Sequence, residues 1–169
     1  MRPEQWSKQS PCEDWKALAV LRHIVDMHAA MLQPLGCALS PAPTVDADPL
    51  AAFTAARAEV ERLLDHPELA GAAVRSPAGE MSAAEHVDQV VSEDLVLHGW
   101  DLARATDQDD TIDPAEVARM WPAVQNIPDV MRTVGAFGPG IVVYGPVVEI
   151  SADAPLQDRL LGLLGRDPR

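Results

Sequence analysis

The stretch that decides the fold is Ser82-Ala-Ala-Glu-His-Val-Asp-Gln-Val-Val-Ser-Glu-Asp-Leu-Val-Leu-His-Gly-Trp-Asp-Leu-Ala-Arg-Ala105. It opens with a capping box: the Ser82 hydroxyl can accept from the backbone of the first turn while Glu85 reaches back to the cap. From there Ala84, Val87, Val91, Asp94, His98 and Asp101 follow one another at three- and four-residue steps, so they share one drifting stripe of a helix over 83–105. The early members of that stripe are apolar and the late ones are a carboxylate, an imidazole and a second carboxylate. Burying such groups costs several kcal/mol, at the level of about 2–7, unless they are paired or coordinate a metal.

Working outward, every other helix carries its own punctuation. Upstream, Leu18, Leu21, Val25, Ala29 and Leu32 trace a stripe over 15–32, entered either through Ser10-Pro11-Cys12-Glu13 as a capping box or through Asp14 as cap. A proline-bearing loop over 36–46 follows. Asp48 caps a second helix with Pro49 at its first position, which His66-Pro67 ends. Residues 68–81 show no stable period. Downstream, Asp113-Pro114-Ala-Glu116 starts a fourth helix with Val117, Met120, Trp121, Val124 and Ile127 on its apolar side, which Pro122 and Pro128 should kink or split. Gly138, Gly140 and Gly145 punctuate β-branched runs over 141–144 and 147–150, predicting a short extended or hairpin segment near 138–150. A closing helix over 155–164 ends at Gly165. The class is all-α, a helix bundle with a short extended appendix, in one domain spanning 1–169.

Composition removes several functions. Lys and Arg number 13 against 26 Asp and Glu, a net charge of −13 that repels nucleic-acid phosphates and anionic lipid. No apolar run approaches a membrane span and no leader is recognisable, so a cytoplasmic protein acting on a small molecule is expected. Cys12 and Cys37 are expected to remain reduced there.

The polar residues of the stripe admit two readings. Asp94 and His98, at i and i+4, can hydrogen-bond each other as a self-satisfied pair, and His23, flanked by Ala19, Val20, Ile24 and Met27, can be an ordinary core histidine. Alternatively, bundles build metal sites from one ligand on one helix and a pair on another. Two imidazoles and a carboxylate with an open position describe a catalytic zinc site, with nickel, iron or manganese also compatible. Asp101 is placed either to accept from Arg104 or to orient His98. Trp15 and Trp100 read as packing residues whose indole N–H can reach a site group. Cys12 reads as a small buried residue or a low-pKa thiol, and Arg159 as a salt-bridge or capping residue.

Three motifs carry a resemblance. Pro11-Cys-Glu-Asp-Trp15, with His23 and His28 following, resembles the Pro-Cys-x-x-Trp…His…His opening of actinobacterial DinB-like metal-binding proteins. His98-Gly-Trp-Asp-Leu-Ala-Arg-Ala-Thr106 is similar to their second signature, and Asp158-Arg-Leu-Leu-Gly-Leu-Leu-Gly-Arg-Asp-Pro168 to their ending. The resemblance implies a DinB/YfiT-like four-helix bundle, related to mycothiol-dependent maleylpyruvate isomerase and to mycothiol or bacillithiol S-transferases. It implies a divalent metal, zinc by preference, held by His23, Asp94 and His98, through which these residues would act in catalysis. Asp101, Trp15 and His28 would support or line the pocket, with His28 at its mouth or on a solvated face. The implied activity is isomerisation or S-transfer on a small electrophile with a mycothiol-type thiol as co-substrate. A non-catalytic metal- or small-ligand-binding module and a structural partner subunit are the alternatives. Two features depart from the family: Asp94 stands where a glutamate is usual, and only eleven residues precede Cys12, where relatives carry a full first helix. An uncovered flank on the His23 helix would favour a homodimer.

Overall fold

The computed structural model describes residues 2–76, 79–135 and 143–169. The chain is mostly helical with one small hairpin, and it divides into two compact units, the first ending at Asp110 and the second starting at Thr111. No helix among the described residues is long and apolar enough to cross a membrane.

In the first unit, α1 (Ala17–Leu32) packs on both α2 (Pro49–Asp65) and α5 (Glu93–Ala105). Local chemistry accounts for the helix starts. Asp48 accepts from the Ala51 N–H at 3.0 Å, with Pro49 in the first turn where its missing N–H costs nothing. Ser82 accepts from the Glu85 N–H at 3.2 Å while Glu85 Oε2 accepts from the Ser82 N–H at 2.8 Å, completing the capping box at the head of α4 (Ala83–Val87). From α4 the rod passes through one π-helical turn, Asp88–Ser92, into α5.

The start of α1 differs from expectation. The helix begins at Ala17 after Lys16, and neither Ser10 nor Asp14 caps it. Ser10 instead organises the preceding loop: its hydroxyl donates to the Trp15 carbonyl at 2.7 Å and its backbone N–H to the same oxygen at 3.0 Å. A serine beside its own turn competes with helix formation by such local bonds.

Between α2 and α4 lie a short helix α3 (Pro67–Ala70) and an antiparallel hairpin of β1 (Ala73–Ser76) and β2 (Gly79–Ser82), with Val74 opposite Met81. The extended structure thus sits here, in the stretch without a readable period. The segment expected near 138–150 holds no strand over 143–150, and 136–142 falls outside the described residues. Val74 is buried with Met31, Leu32, Val60, Leu63, Ala83, Val87 and Val91 in one core. Each large aliphatic side chain so buried contributes about 1.5–3 kcal/mol. A smaller cluster, Leu21, Val45 and Ala52, lies under Trp6, Leu18, Val25 and Phe53.

In the second unit α6 (Pro114–Val124) packs on α7 (Leu156–Leu163). Asp113 caps α6 through the Ala115 N–H at 2.8 Å. Pro122 lies within α6 and does not split it, whereas Pro128 introduces a separate 3-10 turn, Asp129–Arg132. The segment over 143–150 runs against α7. There the Val148 N–H donates to the Gly162 carbonyl at 2.9 Å, and Arg132 donates to the carbonyls of Gly145 and Leu163, each at 2.6 Å. Arg159 takes neither role expected of it, for its guanidinium lies over the Trp121 ring, 4.8 Å from the centroid.

Candidate metal centre

The site lies wholly within the first unit and draws on two elements and a loop. The loop, residues 9–16, is closed by a single β-bridge between Gln9 and Lys16. It is stiffened by Gln9 Nε2, which sits within hydrogen-bond distance of the carbonyls of Cys12 (2.9 Å), Glu13 (2.8 Å) and Trp15 (2.9 Å). Its two N–H groups can serve two of these carbonyls at a time, from within the turn. It also fixes where Cys12 and Trp15 point.

Trp15 packs over two imidazoles, its ring centroid 4.8 Å from that of His23 on α1 and 5.5 Å from that of His98 on α5. The imidazoles meet edge to face at 4.6 Å. Both direct Nε2 at one carboxylate oxygen, Asp94 Oδ1, at 3.0 Å from His23 and 3.6 Å from His98. Packing of α1 on α5 is what brings His23 to the Asp94 and His98 pair across about seventy residues of chain.

Self-satisfaction of the i, i+4 pair is not what the geometry shows. At 3.6 Å the Asp94 to His98 approach exceeds hydrogen-bond length. Asp94 bonds across the interface to His23, and its other oxygen, Oδ2, is buried with no hydrogen-bond partner. An unsatisfied buried acceptor costs about 1–3 kcal/mol, and more when charged. The carboxylate side chain is only 16% exposed. A cation placed among these donors would relieve that cost.

The donor set fits a divalent metal. One atom from each of His23, Asp94 and His98 lies within 4.8 Å of the others. Two imidazole nitrogens and a carboxylate oxygen are the ligand types that zinc, and also nickel, iron and manganese, accept. The shorter aspartate still brings its oxygen up to both rings.

Behind His98 stands a further layer. Its Nδ1 lies 2.9 Å from Asp101 Oδ2, and the Cys12 thiol donates to that same oxygen at 3.3 Å. Cys12, His98 and Asp101 thereby form another group close enough to share an ion. Cys12, read from the sequence as a small buried residue or a low-pKa thiol, was not expected beside Asp101. Its proximity to Asp101 depends on the fold of the 9–16 loop, and only the Pro-Cys-x-x-Trp motif hinted at it.

His28 is not gathered around Asp94. It is buried on α1, where its Nδ1 pairs with the Ile24 carbonyl at 2.7 Å and its ring meets Phe53 of α2 edge to face at 6.0 Å. It does not lie on a solvated face. Five residues beyond His23, it lies about 140° further round the helix, toward α2. Arg104 bonds Asp110 at 2.8 Å and lies over the Trp100 ring, which is itself buried.

Two uncharacterised proteins from strains of Mycobacterium tuberculosis are similar to this chain, each 26% identical over 171 residues that cover 100% of this chain and 89% of the relative. No family model and no solved structure matches it.

Proposed function

We propose that His23, Asp94 and His98 hold a divalent metal ion, zinc by donor type, and that the protein uses it with a low-molecular-weight thiol either to isomerise a small electrophile or to transfer the thiol's sulfur to it. The observation that carries the metal reading is the approach of both imidazole Nε2 atoms to Asp94 Oδ1, in a carboxylate whose other oxygen, Oδ2, is buried without a hydrogen-bond partner. The thiol chemistry and a DinB/YfiT-like bundle architecture come from the sequence motifs. α1, packed on α2, α4 and α5, supplies the helices such a bundle would use.

The protein's own groups divide the work. His23 and His98 present neutral nitrogen donors from facing helices, and Asp94 supplies the one negative charge among the three ligands. Trp15 covers both imidazoles with an apolar ring, which keeps bulk water from that side and strengthens electrostatic interactions beneath it. A metal bound here would supply Lewis acidity, which stabilises a thiol as its more nucleophilic thiolate.

Elemental analysis of the purified protein, followed by competitive zinc titration, tests the first half. The expectation is one equivalent of metal in the parent and its loss in His98→Ala. Thiol-dependent turnover with mycothiol and a small electrophile tests the second half. Metal binding without such turnover would instead identify a non-catalytic binding module, and a parent that takes up no zinc would refute the metal site.

A further inference from the structure

We propose that Asp101 and Cys12 are positioning residues for this centre: Asp101 fixes His98 as the tautomer whose Nε2 is free to bind metal, and Cys12 ties the 9–16 loop to the same carboxylate oxygen. The inference rests on the metal reading for its purpose, although its structural half stands without metal.

A neutral imidazole carries one N–H and one lone pair, and the proton settles on the nitrogen that has the better acceptor. His98 has a carboxylate on each side. On the Nδ1 side Asp101 Oδ2 lies at 2.9 Å, a full hydrogen bond; on the Nε2 side Asp94 Oδ1 lies at 3.6 Å, beyond one. The proton therefore belongs on Nδ1, and the lone pair of Nε2 faces Asp94 and His23. This is the arrangement a metal-ligating histidine needs, with its second nitrogen held by a carboxylate that fixes the ring's orientation.

Asp101 is suited to that role because it is completely buried. A buried carboxylate must be hydrogen-bonded in place, and the Cys12 thiol donates to the oxygen that also receives His98. Cys12 belongs to the loop that presses Trp15 on both imidazoles, and the Trp15 backbone N–H donates to the Cys12 carbonyl at 2.9 Å. Loop, carboxylate and metal-facing histidine thus form one connected unit.

Nuclear magnetic resonance of the side-chain nitrogens of His98, on metal-free parent protein, tests the tautomer directly. The expected result is a protonated Nδ1 and a bare Nε2; protonation on Nε2 overturns the proposal even if zinc binds. In Asp101→Asn, confirmed as folded by circular dichroism, the Nδ1–H preference weakens and zinc affinity falls about 10- to 100-fold. Parent-like affinity in that variant also overturns it. Cys12→Ala is expected to lose affinity by a smaller factor and Cys12→Ser, which keeps a donor, to recover it. Equal affinity in parent and Cys12→Ala removes Cys12 from the arrangement. If the parent binds no zinc, the function proposed above fails while the nitrogen spectra still decide the tautomer.

Discussion

Replacing Asp94 by alanine should separate stability from metal binding. In the metal-free protein the substitution removes a buried oxygen without a partner, which restores about 1–3 kcal/mol. It also deletes the bond to His23, whose side chain is 27% exposed so that water takes the vacant place, a loss of about 0.5–1.5 kcal/mol. The difference puts metal-free Asp94→Ala between about 0.5 kcal/mol less stable and about 2.5 kcal/mol more stable than the parent. With zinc the order reverses. At a free concentration one hundred times the dissociation constant, zinc stabilises the parent by about 2.7 kcal/mol, and a variant short of one of three ligands gains little of this. Urea denaturation in chelator and in buffered zinc measures both quantities. A metal-free variant much less stable than the parent would show that Asp94 is an internal pairing partner. Equal zinc stabilisation of parent and variant would refute its role as a ligand.

Three further outcomes test the framework around the site. The Ser82 N–H and hydroxyl hold the Glu85 carboxyl below its ordinary value of 4.5, so its stabilisation is fully present above that value and is lost as pH falls through the lowered one. Glu85→Gln should therefore be less stable at neutral pH, with a deficit in urea midpoint that closes on acidification; a deficit independent of pH would contradict this. Gly162→Ala raises helix propensity by about 1 kcal/mol, yet the added Cβ would meet Ile150 Cγ1 and the Val148 carbonyl oxygen at 2.6 Å. The expected net result is a loss of about 1–3 kcal/mol in urea denaturation, and a gain would refute the close packing of 143–150 on α7. Leu161→Ala, at a position with no exposure, should cost about 2–5 kcal/mol, while Leu50→Ala, 73% exposed, should change denaturation by less than about 0.5.

What could be read in the sequence was local. Asp48-Pro49, Ser82 with Glu85, and Asp113-Pro114 each state a helix start within four residues, because caps act between a side chain and the adjoining turn. The hairpin was hidden for the opposite reason. Val74 and Met81 pair between two strands, the second beginning at Gly79, whose φ of 121° suits glycine alone, and neither four-residue strand has a pattern of its own to display. Its reason for forming is tertiary, since Val74 is needed in the core beside Leu63 and Val87. The same division runs through the site. Asp94 and His98 share a helical face by spacing, but that Asp94 bonds His23 and that His98 bonds Asp101 follows from how α1 meets α5. Ser10 misled because a serine followed by proline fits a helix cap and a loop hub equally well.

A π-helical turn stands between the apolar end of the long rod and its polar centre. Ala83, Val87 and Val91 line the core with Met31 and Leu32 at the far end of α1. Those three are spaced by four residues each, steps that drift by about 40° apiece on a regular helix. The turn over Asp88–Ser92 absorbs one extra residue, which swings everything after it by about 100° relative to α4. The rod that packs with valines near Leu32 continues past His23 on the same partner helix α1, with His98 and Asp101 buried and Asp94 bonded to His23. One rod thus satisfies a hydrophobic core at one end and gathers Asp94 and His98 with His23 at the other, the π-helical turn lying between the two.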